Sequence, residues 1–137
     1  EFGSTYDYPY LSICTTGTHD MNPLRAWWEE DRGVTQRFYN QILGAWGDAP
    51  YYCEPWICEQ VVSMHLKSPA MLTVLPLQDW IAMDGNLRRE NPNDERINVP
   101  ANSRHYWRYR MHLTLEELLH ADELNDMIKQ KIAESGR

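Results

Sequence analysis

A chain of 137 residues lies in the ordinary size range of one domain, and nothing in its composition divides it into two cores. A formal net charge of −7 argues against an electrostatic grip on nucleic acid or on an anionic membrane surface, which leaves a neutral or small partner. No apolar run approaches the roughly 20 residues that span a bilayer, and the amino terminus lacks the basic-then-apolar layout of a signal peptide, so a soluble chain is expected.

In chain order, residues 11–16 have the β-branched and apolar bias of a buried strand. The strand stops at Gly17 and presents Thr18-His19-Asp20 at its carboxyl end, the place where parallel barrels mount catalytic groups. Asn22 then serves as an N-cap with Pro23 at the first helical position, and Leu24, Trp27 and Trp28 recur at helical spacing in a helix that ends near Gly33. Phe38, Ile42, Leu43 and Trp46 form a second helical stripe that stops at Gly47. Pro55 opens a third helix through Ile57, Val61, Val62, Met64 and His65, ended by Lys67-Ser68-Pro69; His65 reads as a packed or half-exposed residue.

Met71-Leu72-Thr73-Val74-Leu75 has almost no polar alternation, the pattern of a strand buried on both faces. Strand, helices, strand implies a parallel crossover of right-handed sense. Residues 84–104 are polar and rich in turn formers, and a loop of that length inside a domain is functional or mobile. Thr114-Leu115-Glu116-Glu117 is a capping box, followed by a stripe through Leu118, Leu124, Met127, Ile128 and Ile132 and a stop at Gly136; this tail reads as one or two outer helices, with Asp122, Glu123, Lys129 and Lys131 on a solvated face.

Three cysteines, Cys14, Cys53 and Cys58, lack the paired spacing of a zinc site and are expected as reduced thiols in a cytoplasmic protein. No ligand cluster suggests a metal or an organic cofactor. The 6 Trp and 8 Tyr against 2 Phe favour rings with a flat apolar face and a polar tip, which suit sugars, although single rings outside a motif more often pack in cores. Two parallel strands cannot complete a sheet, because parallel strands need neighbours on both edges and cover on both faces. The chain therefore reads as α/β, the closing portion of a (β/α)8 barrel that takes about 250 residues when whole.

Five motifs carry a family resemblance: Thr18-His19-Asp20; Leu24-Arg25-Ala26-Trp27-Trp28-Glu29-Glu30-Asp31; Leu75-Pro76-Leu77-Gln78-Asp79; Arg96-Ile97-Asn98-Val99-Pro100; and His105-Tyr106-Trp107-Arg108-Tyr109-Arg110. In this order they resemble the 4-α-glucanotransferases (amylomaltases or disproportionating enzymes, glycoside hydrolase family 77), most closely the plant-type branch called disproportionating enzyme 2. The resemblance covers residues 1–137 as the carboxyl-terminal part of the catalytic barrel, its last two strands with their helices. It implies a retaining transfer of α-1,4-glucan segments, from maltose or a maltodextrin to a sugar acceptor, through a covalent glucosyl-enzyme intermediate and without a cofactor.

Retention needs a nucleophilic carboxylate and an acid/base carboxylate about 5 Å apart. By motif position Asp20 resembles neither, but a third carboxylate that stabilises the transition state, and His19 resembles a neighbouring donor to the same sugar. Gln78 and Asp79 fall at the catalytic rim as candidate substrate-binding residues, with a helix cap as the other reading of Asp79. Asn98 resembles a donor-side sugar contact. The family's nucleophile and acid/base have no counterpart motif here, and Glu29, Glu30 and Asp31 read as surface, so the chain by itself is expected to be inactive and, with open sheet edges, to self-associate.

Departures from the common pattern at Pro23, Ala26, Pro100-Ala101 and residues 106–110, with a longer segment at 85–94, bear on acceptor preference. The alternative is a non-catalytic carbohydrate-binding or interaction module derived from such an enzyme, supported by the Trp and Tyr content. The start at Glu1-Phe2-Gly3 rather than at Met favours a cut from a longer chain.

Overall fold

The computed structural model describes residues 2–137. A 3-10 turn at Thr5–Asp7 precedes strand β1 (Ile13–Cys14), helices α1 (Leu24–Glu30), α2 (Arg32–Gln41) and α3 (Pro55–Leu66), and strand β2 (Leu72–Thr73). Helix α4 (Leu77–Ile81), a 3-10 turn at Pro92–Glu95, and helices α5 (Leu115–Leu119) and α6 (Asp122–Ser135) complete the described elements. The strands pair in parallel, Ile13 opposite Leu72 and Cys14 opposite Thr73, an arrangement that needs the crossover which α1, α2 and α3 supply.

Both strands are shorter than the sequence pattern predicts, and β2 is not buried on both faces. The ladder runs only where a neighbour exists: Met71 N–H donates to Tyr10 O at 2.7 Å and Val74 N–H to Cys14 O at 2.9 Å. Leu11 (82%), Ile13 (64%), Leu72 (48%) and Val74 (58%) remain exposed. An apolar run that alternates with nothing encodes two covering layers, and two strands with helices on one side supply only one. The architecture is thus α/β with an open two-stranded parallel sheet, consistent with part of a barrel.

Helix α3 is the centre of the core. Ile57, Cys58, Val61, Val62 and Leu66 are buried along it, with Trp28 of α1, Ile81 of α4 and Leu124 of α6 packed around them. Each such side chain contributes about 1.5–3 kcal/mol over leaving it in water. The Trp28 indole N–H is satisfied by Pro50 O at 3.0 Å, and the Arg32 guanidinium takes Ala49 O at 2.7 Å and Pro50 O at 2.9 Å, which ties the α2–α3 connection to α1 and to the start of α2. All three cysteines are free and buried; Cys53 and Cys58 Sγ lie 3.5 Å apart, and burial raises the Cys53 thiol well above its ordinary value.

Several helix boundaries depart from the sequence reading for identifiable reasons. Pro23, not Asn22, is the N-cap of α1, and it offers no side-chain cap. The orphan N–H of Leu24 is taken instead by Asp79 Oδ1 at 3.0 Å, from across the fold. The first helical segment stops at Glu30 because Asp31 turns extended and caps α2, accepting from Gly33 N–H at 2.8 Å and Val34 N–H at 3.1 Å. Trp46 lies beyond the end of α2 and is 96% exposed: Gly44, at φ +65°, takes the chain out of the helix before the stripe reaches it.

Pro55 opens α3 as the sequence indicates, and His65 is half-buried with its Nδ1 paired with Val61 O at 2.7 Å. The tail forms two helices. Thr114 and Glu117 make the reciprocal capping box of α5, and Gly136 in the left-handed region ends α6. Lys131 is not on a solvated face. It is largely covered and pairs with Glu59 of α3, so α6 is fastened to the core by an ion pair as well as by Leu124. Arg137 closes the chain by donating to Leu66 O at 2.7 Å, Ser68 O at 2.8 Å, Ala70 O at 2.6 Å and Met71 O at 3.3 Å, clamping the turn that feeds β2. No helix among the described residues is long and apolar enough to cross a membrane.

Candidate functional site

β1 delivers Thr18-His19-Asp20 to the end of the sheet, and the chain after α4 returns to meet it. Asn98 N–H donates to His19 O at 3.2 Å, and the Asn98 side-chain amide donates to Asp20 Oδ1 at 2.6 Å. His19 Nε2 approaches the same Asp20 oxygen at 3.4 Å. Three residues that the sequence places far apart thus converge: an imidazole, a carboxylate and an amide. His19 and Asp20 each keep about half of their side-chain surface exposed, 56% and 52%, whereas Asn98 is buried.

Burial of Asn98 arises from its neighbours. Its carbonyl accepts from Arg96 Nε at 2.8 Å, and the preceding carbonyl, Ile97 O, pairs with His105 Nε2 at 2.9 Å. With backbone and side chain both engaged, Asn98 holds the Asp20 carboxylate in one place while leaving its other face open. Trp107 lies against His19, ring centroids 5.4 Å apart at 53°, and is itself 61% exposed. A fixed carboxylate beside an imidazole N–H and a bare indole offers a sugar an acceptor, a donor and a flat apolar face.

Gln78 and Asp79 lie at the exit of β2, and both are buried. Asp79 is engaged through both oxygens, by Leu24 N–H and by the Thr16 hydroxyl; burial raises its carboxyl above the ordinary value against the lowering pull of those two bonds. It caps α1, not its own helix, and joins the ends of both strands. Gln78 Nε2 donates to Glu95 O at 3.1 Å.

The pairing of Glu95 with Arg25 is invisible to sequence spacing. Arg25 Nη1 meets Glu95 Oε1 at 3.0 Å in full burial and also donates to Arg89 O at 2.7 Å, with Nη2 on Glu90 O at 3.3 Å. Burial raises the Glu95 carboxyl, and the Arg25 charge opposes the rise. An arginine between Leu24 and Ala26 on the stripe that buries α1 is the one sequence signal that points toward this pair.

His19, Gln78, Asp79 and Glu95 line a groove of about 320 Å3 between the strand ends; Asp20 and Asn98 are not among its lining residues. Of the groove's two carboxylates, Asp79 is bonded through both oxygens and Glu95 through Oε1 to Arg25, its Oε2 buried without a partner. Among the described residues the site therefore presents one half-exposed carboxylate, Asp20, where retaining sugar chemistry uses more.

The 4-alpha-glucanotransferase family model matches residues 1–115. A 4-alpha-glucanotransferase DPE2 of Oryza sativa subsp. japonica is 39% identical over 137 residues, all of this chain and 14% of the relative. A 4-alpha-glucanotransferase of Chlamydia muridarum is 29% identical over 126 residues, covering 88% of this chain and 23% of that protein. In fold the chain is similar to an amylomaltase from Streptococcus agalactiae in complex with acarbose, with a TM-score of 0.69 at 19% identity, over 98% of this chain and 26% of that one. The chain thus spans between a seventh and a quarter of the length of these relatives. With the family model matched over most of its length, the chain belongs to the 4-alpha-glucanotransferase family, glycoside hydrolase family 77.

Proposed function

We propose that these residues form the carboxyl-terminal part of the catalytic barrel of an enzyme that transfers α-1,4-glucan segments to sugar acceptors with retention. Asp20 stabilises the transition state, His19 and Asn98 bind the donor sugar, and Gln78 and Asp79 support the rim from below. The observation that carries the reading is the convergence of Asn98 on Asp20 and His19, since 78 residues of sequence separate the amide from the carboxylate it holds at 2.6 Å. A carboxylate fixed on one side and open on the other is suited to pair with ring hydroxyls more strongly as positive charge develops on the sugar.

The nucleophile and the acid/base are supplied by the part of the enzyme that this chain does not span, and the chain alone has no transfer activity. The exposed apolar side chains Leu11, Ile13, Leu72 and Val74 support covering of the sheet by that remainder; without it, the chain self-associates through the same edges. Three buried thiols support a reducing, cytoplasmic setting.

The test is Asp20→Asn in the full-length enzyme, assayed for glucose release from maltose or for disproportionation of maltotriose. Loss of one stabilising contact at a developing charge lowers kcat on the order of 10²–10³-fold, with the melting temperature unchanged because Asp20 is half exposed and contributes no core packing. Near-normal turnover removes Asp20 from the mechanism.

A further inference from the structure

Beside the Asn98 loop, charge is distributed against the trend of the whole chain. A concavity of about 600 Å3 is lined by Arg89, Arg96, Arg104, Arg108 and Arg110, with Asp94 as its one carboxylate, in a protein of net charge −7 whose acidic residues outnumber the basic ones 20 to 13. None of these arginines makes an ion pair among the described residues, whereas Arg25 nearby takes Glu95 at 3.0 Å. Carboxylates are abundant in this sequence, so their scarcity here is a property of the groove. Like charges gathered without counter-charge repel one another and raise the local potential for anions.

Three of the guanidinium groups, those of Arg89, Arg96 and Arg108, are also held by contacts within the loop. Arg96 Nε is fixed on Asn98 O at 2.8 Å. Arg89 donates to Arg110 O and lies 5.8 Å from the Tyr109 ring centre, yet its Nε is buried with no acceptor. Arg108 lies 5.8 Å from the centre of the Tyr106 ring, which is itself 75% exposed. An oriented fork with an unused, buried N–H lacks an acceptor that the described residues do not provide. Planar guanidinium forks match the tetrahedral oxygens of a phosphate better than any neutral ligand, and an open tyrosine face matches a sugar ring.

We propose that this groove binds a phosphate ester carried on a sugar, the phosphate on Arg89, Arg104 and Arg108 and the ring on Tyr106, so that a phosphorylated glucan is held beside the donor site. Ile97 lines this groove and the one between the strand ends, which His19 also lines, so one glucan chain reaches from His19 to the arginines. The sugar half of the inference rests on the glucanotransferase reading; the anion half does not.

The experiment is calorimetric titration of the full-length enzyme with glucose 6-phosphate, glucose and inorganic phosphate in parallel. Glucose 6-phosphate binds at least about tenfold more tightly than either of the others, and its advantage over glucose falls as ionic strength is raised toward ~0.5 M. The double variant Arg104→Ala with Arg108→Ala, both exposed residues, loses about tenfold in glucose 6-phosphate affinity, while transfer from unmodified maltodextrin stays at the wild-type rate. Arg104→Gln, which keeps the side-chain length and removes one charge, loses part of the affinity and guards against a folding defect in the double variant. Equal affinity for glucose and its phosphate, unchanged affinity in the double variant, or inorganic phosphate binding as tightly as the sugar phosphate overturns the proposal; an adventitious ion site gives the last of these. Failure of the wild-type enzyme to act on maltodextrin defeats the transferase reading instead and leaves the phosphate comparison intact.

Discussion

Replacing Arg25 tests whether one buried ion pair holds the Asn98 loop against the end of β1. The Arg25 guanidinium is 5% exposed and serves Glu95 Oε1 at 3.0 Å, Arg89 O at 2.7 Å and Glu90 O at 3.3 Å. Arg25→Met keeps much of the stem and removes the charge, which strands a carboxyl that is 2% exposed and already has one oxygen, Oε2, without a partner. Breaking a buried pair from one side costs about 3–5 kcal/mol. The lower end of that range applies, because Glu95 is already inclined to take up a proton and its carboxyl rises further once Arg25 is gone. Removing both charges in Arg25→Met with Glu95→Leu restores all but the share that belongs to the two carbonyls, about 1 kcal/mol each. Urea denaturation followed by tryptophan fluorescence measures both variants, since Trp28 is buried on the same helix. A single variant within about 1 kcal/mol of wild type, or a double variant as unstable as the single one, refutes the assignment of this pair as the loop's anchor.

Asp79 makes stability depend on pH in a sense opposite to a surface carboxylate. Its carboxyl is raised in the folded state by burial, so between its ordinary value and the raised one the native state binds a proton that the unfolded state does not, and this group's contribution to stability grows as pH falls through that window. Wild type therefore gains on Asp79→Asn as pH drops from neutral toward the ordinary aspartate range, in paired denaturation curves; a constant difference across pH contradicts it. Arg137→Ala removes four guanidinium contacts from the turn before β2 and lowers stability by about 1–2 kcal/mol, less than four full bonds because the residue is exposed; a thermal melt unchanged from wild type counts against it. Cys14, Cys53 and Cys58 are at most 1% exposed, and burial keeps the Cys53 thiol protonated, so a thiol reagent labels them only at the rate of unfolding, read by mass spectrometry; fast labelling of the native protein shows the core to be open.

What the sequence reveals and what it hides divide along the reach of each interaction. Pro55 at the start of α3, the stop at Ser68-Pro69 and the Thr114–Glu117 box all act within a few residues, so spacing alone exposes them. Trp46 reads as part of a stripe because apolar periodicity continues across Gly44, whose φ of +65° ends the helix whatever residues come after it. Lys131 resembles a solvated charge because its partner, Glu59, lies on another helix. The strand at Leu72–Thr73 reads as longer and doubly covered because an apolar run records the burial of the assembled fold, whereas the bonds present here stop where neighbouring strands stop.

The site obeys the same division, with one consequence for how it works. The Thr18-His19-Asp20 triplet is local and legible, but its geometry is imposed from Asn98, and Asn98 is held in turn by Arg96 and by a loop anchored through Arg25 and Glu95. Contacts spanning 70 and 78 residues leave no periodic trace in a single sequence. A half-exposed carboxylate on a short strand has little to fix it by itself, and the polar groups that do fix it are buried, where each is worth more and where leaving one unpaired costs more. The long polar loop that composition marks as functional or mobile is therefore the half of the site that carries its buried hydrogen bonds, and those bonds, more than the strand bearing Asp20, set where the carboxylate stands.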